Sequence, residues 1–248
     1  VSEKFSDQYW TGNASLEWQM STQQSFYATL ARGVRAGGVN ASLSSTLLAL
    51  ASEIDVTPYA SRTRFNEEIV LNRELGWRLR STDGRLRAVL AVFSMARDDQ
   101  QVKGSLVIPR LDGSTSFTDF TDNAATGTNR GLEFTIDWLP SKSLTLNLAI
   151  GRLDAKFDDY TNVDGIRLSG RDQPQAPAWQ YRANATWRLS AKLAASLEAT
   201  GRDAFYLSDR HDLQSPQADM LNANILWENG EWSLNVWGRN LTDELTVT

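Results

Sequence analysis

Apolar and polar residues alternate along most of this chain. The clearest case runs Leu132, Phe134, Ile136, Trp138, then Pro140-Ser141-Lys142, then Leu144, Leu146, Leu148, Ile150, with Glu133, Thr135, Asp137, Thr145 and Asn147 in the intervening positions. Successive side chains of an extended strand point to opposite sides, so a period of two gives each such stretch one apolar and one polar face. The pattern predicts ten strands, at about 10–20, 24–33, 65–80, 84–102, 116–139, 143–157, 177–189, 192–203, 217–228 and 231–240. Every second connection is short: Ser21 to Gln23, Ser81 to Gly84, Pro140 to Lys142, Ser190 to Ala191 and Asn229-Gly230. Asn-Gly and Asp-Gly suit tight hairpins because both tolerate positive φ. The other connections are long: Gly33 to Arg64, Leu153 to Ala176 and Asp203 to Pro216, with a hairpin tip on extended strands at Pro109 to Thr115.

Short turns on one side and long loops on the other is the asymmetry of barrels that cross an outer membrane. A soluble sandwich has no reason to sort its loops by length. The expected fold is therefore all-β, an antiparallel up-and-down transmembrane β-barrel. One strand is ambiguous in phase, because Leu86, Ala88, Leu90 and Val92 compete with Val89, Ala91, Phe93 and Met95 for the lipid side. A β-bulge can switch the phase within such a strand. The reading adopted places Phe93 and Met95 outward.

Composition narrows this further. Hydrophobic residues make up 41% of the 248, mean hydropathy is −0.39, and no run of eighteen apolar residues occurs, so no transmembrane helix is expected. A barrel needs only alternate residues to be apolar. Trp10, Trp18, Trp77, Trp138, Trp179, Trp187, Trp227 and Trp232 fall near predicted strand ends, where aromatic girdles sit. Ordinary strand preference also accounts for tryptophan there. There are no cysteines, which removes disulfides and thiolate chemistry. A net charge of −5 speaks against nucleic acid as a partner. Val1-Ser2-Glu3-Lys4 lacks a charged and apolar leader, and the far end stops at Thr246-Val247-Thr248 just after a strand, so both ends read as cut.

A series of short motifs follows this frame. Tyr27-Ala28 precedes Arg32-Gly33-Val34-Arg35-Ala36-Gly37-Gly38-Val39-Asn40; Glu67-Glu68 precedes Asn72 and Glu74-Leu75-Gly76-Trp77; Phe93 and Met95 precede Asp98-Asp99-Gln100-Gln101. Asn123-Ala124 then leads to Asn129-Arg130-Gly131-Leu132-Glu133, and Asn240-Leu241-Thr242-Asp243 closes the series. In this order and at strand-like intervals, the motifs resemble the C-terminal part of the barrel of TonB-dependent outer-membrane receptors, the energised importers of siderophore-bound iron, haem, cobalamin and glycans. The resemblance implies a barrel of about 22 strands with a plugged lumen. Residues 1–248 would be a partial barrel domain of about ten strands, without the plug domain, the TonB-contacting segment or the final strand. It further implies TonB-energised uptake of a scarce nutrient, foremost an iron–siderophore complex, in the outer membrane of a Gram-negative bacterium. The implied partners are outer-membrane lipid and lipopolysaccharide, the protein's own plug domain, the TonB complex and a small-molecule ligand such as a ferric siderophore.

Candidate residues divide into two groups. Arg32, Arg35 and Arg171 on the long loops can concentrate an anionic chelate, and are equally read as solvated charges or contacts to lipopolysaccharide phosphates; Asn40 belongs to the same glycine-rich segment. Tyr160, Phe157 and Trp179 can stack on a ligand ring or anchor an interface. Gly33, Gly37 and Gly38 are expected to serve turns rather than a phosphate, since no helix start is expected after them. The second group, Glu68, Asn72, Glu74, Glu133, Asp137, Asn147, Arg182, Asn184, Arg188, Glu198, Arg202, Asn222 and Asn224, would line the lumen and hold the plug. A charge on the lipid side instead costs about 2–4 kcal/mol at the midplane.

Catalysis is not expected, and neither is a cofactor. His211 is the only histidine, flanked by Asp209 and Asp212, and the acidic cluster Asp154, Asp158, Asp159 and Asp164 lacks calcium-loop spacing. Two other readings stay open: a passive porin-like channel, set apart by whether a plug is encoded upstream, and a soluble β-rich binding module whose Leu144 to Ile150 face packs on another sheet.

Overall fold

The computed structural model describes residues 7–246; the readings at the two chain ends fall largely outside them. Ten strands form one antiparallel sheet in which neighbours in sequence are neighbours in space. They are β1 Gly12–Gln19, β2 Gln24–Arg35, β3 Glu68–Arg80, β4 Leu86–Pro109, β5 Thr115–Ser141, β6 Leu144–Tyr160, β7 Trp179–Arg188, β8 Leu193–Arg202, β9 Ala218–Asn229 and β10 Trp232–Gly238. The sheet is not closed: β1 and β10 each have one neighbour.

The register shows that one face is apolar across the whole sheet. Trp18 lies opposite Phe26, Phe26 opposite Trp77, Trp77 opposite Leu90, Leu90 opposite Phe134, and Phe134 opposite Ile150. Directly opposed residues share a face. The row continues through Tyr181, and the same face carries Ala183, Ala185, Leu197, Ile225, Leu234 and Val236. Its side chains do not meet another layer: Leu16 is 73% exposed and Leu75 66%. Phe134, Ile136, Leu146 and Leu148 are only half-buried, so among the described residues they are not sealed in a core between two layers.

The same register corrects the phase of β4. Leu86, Ala88, Leu90 and Val92 oppose Trp138, Ile136, Phe134 and Leu132 on the apolar face, whereas Phe93 opposes Gly131 and Met95 opposes Asn129 on the polar one. Phe93 lies there because Gly131 makes room for it. A Cβ on Gly131 would lie 2.6 Å from the Phe93 ring and 2.5 Å from the Arg152 carbonyl oxygen, so the ring covers a bare stretch of backbone. A bulge does occur, but later, where the β4–β5 register shifts between Arg97 and Gln101, with Asp99 at φ 53°.

The turns take their shape from local chemistry. In the β3–β4 turn Gly84 has φ 71°, and Asp83 accepts from the Arg85 amide at 3.1 Å. Gly230 has φ 61° in the β9–β10 turn.

Sealed packing is confined to the long-loop end. There β4 and β5 run on past the bulge as a hairpin, and residues 41–50 of the preceding connection form α1, Ala41–Leu50. Leu43, Leu47 and Leu50 of α1 pack on Leu106, Ile108 and Phe120 of the hairpin. Asn40, just before α1, gives its amide to the carbonyls of Arg62 and Thr121, both at 2.7 Å, and accepts from the Thr121 amide at 2.8 Å. A helix thus starts soon after Gly33, Gly37 and Gly38, contrary to expectation. The glycine requirement is local crowding at Gly37, where a Cβ would lie 2.6 Å from the Phe65 carbonyl oxygen. A second sealed cluster joins Ala125, Phe157, Tyr160 and Leu168.

Candidate lumen face and loop cap

The polar face of the sheet carries every lumen candidate. Glu68, Asn72 and Glu74 of β3, Glu133 and Asp137 of β5, Asn147 of β6, Arg182 and Arg188 of β7, Glu198 and Arg202 of β8 and Asn222 and Asn224 of β9 all alternate with the apolar set. Charges in one strand are answered in the next. Arg182 donates to Glu198 through Nε at 2.7 Å, and Asn222 donates to the other Glu198 oxygen at 3.1 Å. Asn147 donates to Asp137 at 2.7 Å. Tyr27 donates to Glu74 at 2.7 Å while the Arg78 guanidinium lies 4.3 Å from the Tyr27 ring centroid and 3.4 Å from Glu17. Hollows of about 380 and 330 Å³ open on this face, the first beside Glu133, Arg182 and Arg202, the second beside Asn184, Glu198 and Asn224. Asn72 Oδ1 is buried with no hydrogen-bond partner among the described residues. Ladders of this kind need water or another polar body against them, because an apolar cover would strand their unpaired groups.

The loop candidates are placed differently. Arg32 lies within β2, on the apolar face, 4.4 Å from the Trp10 ring centroid and donating to the Trp10 carbonyl. Trp179 is also on the apolar face, below Arg152, whose guanidinium is 5.3 Å from its ring. Arg35 ends β2 beside Glu68 at 3.9 Å. Glu68 itself is only 2% exposed. It receives Arg97 Nε at 2.8 Å and the Gln101 amide at 3.0 Å, while the Gln101 side chain reaches back to the Ala36 and Asn66 carbonyls, both at 2.9 Å. This knot ties the ends of β2 and β3 to the bulge of β4. Asn40 and Tyr160 are buried.

Tyr160 and Arg171 belong to a latch between two long loops. The Tyr160 hydroxyl donates to Asp209; burial first, and this hydrogen bond second, hold its phenol above the usual tyrosine range. Arg171 stacks on Tyr206 at 4.1 Å, donates to the His211 carbonyl at 2.7 Å and pairs with Asp212 at 3.2 Å. Asp209 and Asp212 are thereby engaged with protein groups, and no metal-type cluster of histidine and carboxylates occurs among the described residues. Sequence reasoning missed Arg97, Gln101, Tyr27 and Arg78. Gln101 is displaced from simple alternation by the bulge that follows Arg97; Arg97, Tyr27 and Arg78 carried a signal, since each stands on the same face as the acidic residue it meets.

Residues 1–241 match the family model described as TonB dependent receptor-like, beta-barrel. The chain belongs to the TonB-dependent receptor family. Solved structures with the same fold include the ferric yersiniabactin uptake receptor FyuA of Yersinia pestis, at 16% identity and a TM-score of 0.69 over 94% of this chain and 32% of that one. The siderophore receptor PiuA of Acinetobacter baumannii matches at 15% identity and a TM-score of 0.71, over 95% and 32%. The ferric preacinetobactin receptor BauA of the same organism matches at 17% and 0.68, over 95% and 32%. At these identities the likeness is one of fold. The chain spans about a third of the length of these receptors. In transmembrane barrels of this kind the apolar face meets lipid and the polar face lines the lumen.

Proposed function

We propose that the full-length protein carrying this chain is an outer-membrane receptor that imports a ferric siderophore, and that residues 1–248 supply part of its barrel wall and outer loops. The observation that carries the reading is the pair of polar ladders on one face, Glu17 to Glu74 on one flank of β4 and Asp137 to Asn222 on the other, beneath a loop cap built on the Glu68 knot. Such a face suits a polar plug domain resting in the lumen, held by Glu133, Asp137, Arg182, Arg188 and Glu198. Several neighbours of the same fold are siderophore receptors. In this reading the loops bind the chelate, the plug occludes the lumen, and a pull by the TonB complex displaces the plug. The wall performs no chemistry on the ligand.

Two measurements test this. Cells expressing the full-length protein should accumulate radioactive iron from a cognate ferric siderophore, and a protonophore or loss of TonB should abolish that uptake. Uptake that persists without the proton gradient, linear in concentration and indifferent to the chelator, would instead establish a passive channel.

A further inference from the structure

Four arginines lie on the apolar face within the strands: Arg32, Arg73, Arg130 and Arg152. Arg32 and Arg152 stack on Trp10 and Trp179. The side chains of Arg73 and Arg130 make no hydrogen bond, ion pair or ring contact with any described residue, and both are exposed. They stand in one cross-strand row, Arg73 opposite Ser94 and Ser94 opposite Arg130, so their Cα atoms are about 10 Å apart, two strand spacings. Arg73 is flanked on its own strand and face by Leu71 and Leu75. Asp154, next in the row, is held by Lys156 at 3.0 Å.

Immediately beside the pair the face is grooved. Small side chains at Ala14, Ala28 and Ser94 leave a furrow of about 900 Å³ between Leu16, Leu30, Leu75 and Val92, with Arg73 and Arg130 along one side. An arginine on the lipid side is costly unless its head rises to the headgroup layer and meets an anion there. Arg130 sits just beyond Leu132, on the long-loop side of the apolar run Leu132 to Trp138, which in this family is the outer leaflet side.

We infer that Arg73 and Arg130 bind a phosphate of an outer-leaflet glycolipid of the lipid A type, with one of its acyl chains lying in the furrow between Leu16 and Val92. The two guanidinium groups carry the charge complementarity, and the furrow carries the chain. The inference rests on the membrane placement in the preceding reading but not on the imported ligand.

The test uses the full-length protein purified from outer membranes in mild detergent, with retained lipid counted by native mass spectrometry. Diphosphorylated lipid A should bind at least about tenfold more weakly to R73Q/R130Q, the loss expected for charge-assisted hydrogen bonds, and R80Q/R87Q, on the polar face, should leave it unchanged. Lipid A stripped of phosphate should bind the unaltered protein as weakly as diphosphorylated lipid A binds the variant. Equal retention by R73Q/R130Q, or equal binding of phosphatidylglycerol, would overturn the inference. If R73Q/R130Q fails to reach the membrane, the dephosphorylated-lipid comparison on the unaltered protein decides alone. Loss of iron uptake with lipid binding intact would count against the import reading only.

Discussion

At the scale of residues, Glu68 is the most consequential side chain described. It is sealed beneath Arg97 and the Gln101 amide, so Glu68→Ala would leave a partly buried guanidinium and an amide without their acceptor. A loss of about 3 kcal/mol is expected, read as a lower denaturant midpoint of the full-length protein. Tyr160 offers a subtler case. Tyr160→Phe removes only the hydroxyl that meets Asp209, and should raise hydrogen exchange across residues 203–217 by about 1 kcal/mol of local protection without changing global unfolding. The phenol is held above its ordinary value of 10.0, so the unfolded chain ionises first. Latch stability is therefore full below about pH 10 and declines as pH rises beyond it, whereas in Tyr160→Phe that decline should be absent.

Elements show where alternation suffices and where it fails. The period of two in β5 and β6 was legible outright, because Leu132 to Trp138 and Leu144 to Ile150 alternate on either side of the Pro140-Ser141-Lys142 turn, and the register shifts only at the turn itself, between Trp138 and Ser141. In β4 both faces are apolar over Ala88 to Phe93, so hydropathy alone held no phase information; the deciding residue, Gly131, is in another strand. Hence Gly131→Ala should cost about 1–3 kcal/mol by forcing the Phe93 ring and the Arg152 carbonyl apart. Phe93→Ala alone would leave a hollow, and G131A/F93A should recover part of the loss in a double-mutant cycle of urea midpoints. The helix α1 was also in the sequence, as Leu43, Leu47 and Leu50 at helical spacing, but a long connection between strands invites the assumption of irregular structure. Of the site, the lumen rows could be read from alternation, since face follows from parity. The loop latch could not, because Tyr160 and Asp209 lie far apart in sequence and meet only through the folding of both loops.

For the molecule as a whole, the two faces make opposite demands. Leu148→Arg places a charge on the lipid side and should cost about 2–4 kcal/mol, visible as a reduced folded yield of the full-length protein in lipid vesicles; Asn147→Arg, its neighbour on the lumen side, should fold normally. The unpaired outer edges of β1 and β10 carry a further consequence. Residues 1–248 expressed alone should associate edge to edge, giving species larger than a monomer by light scattering in detergent.

The extended β4–β5 hairpin gives the outer surface its mechanical character. On it lean α1 through Leu106 and Ile108, the residue 153–178 segment through Val163, and the residue 203–217 segment through Arg210, which reaches Ser105 at 3.3 Å. Three segments far apart in the chain therefore share one beam, and a substitution that shifts the hairpin should disturb the seating of all three.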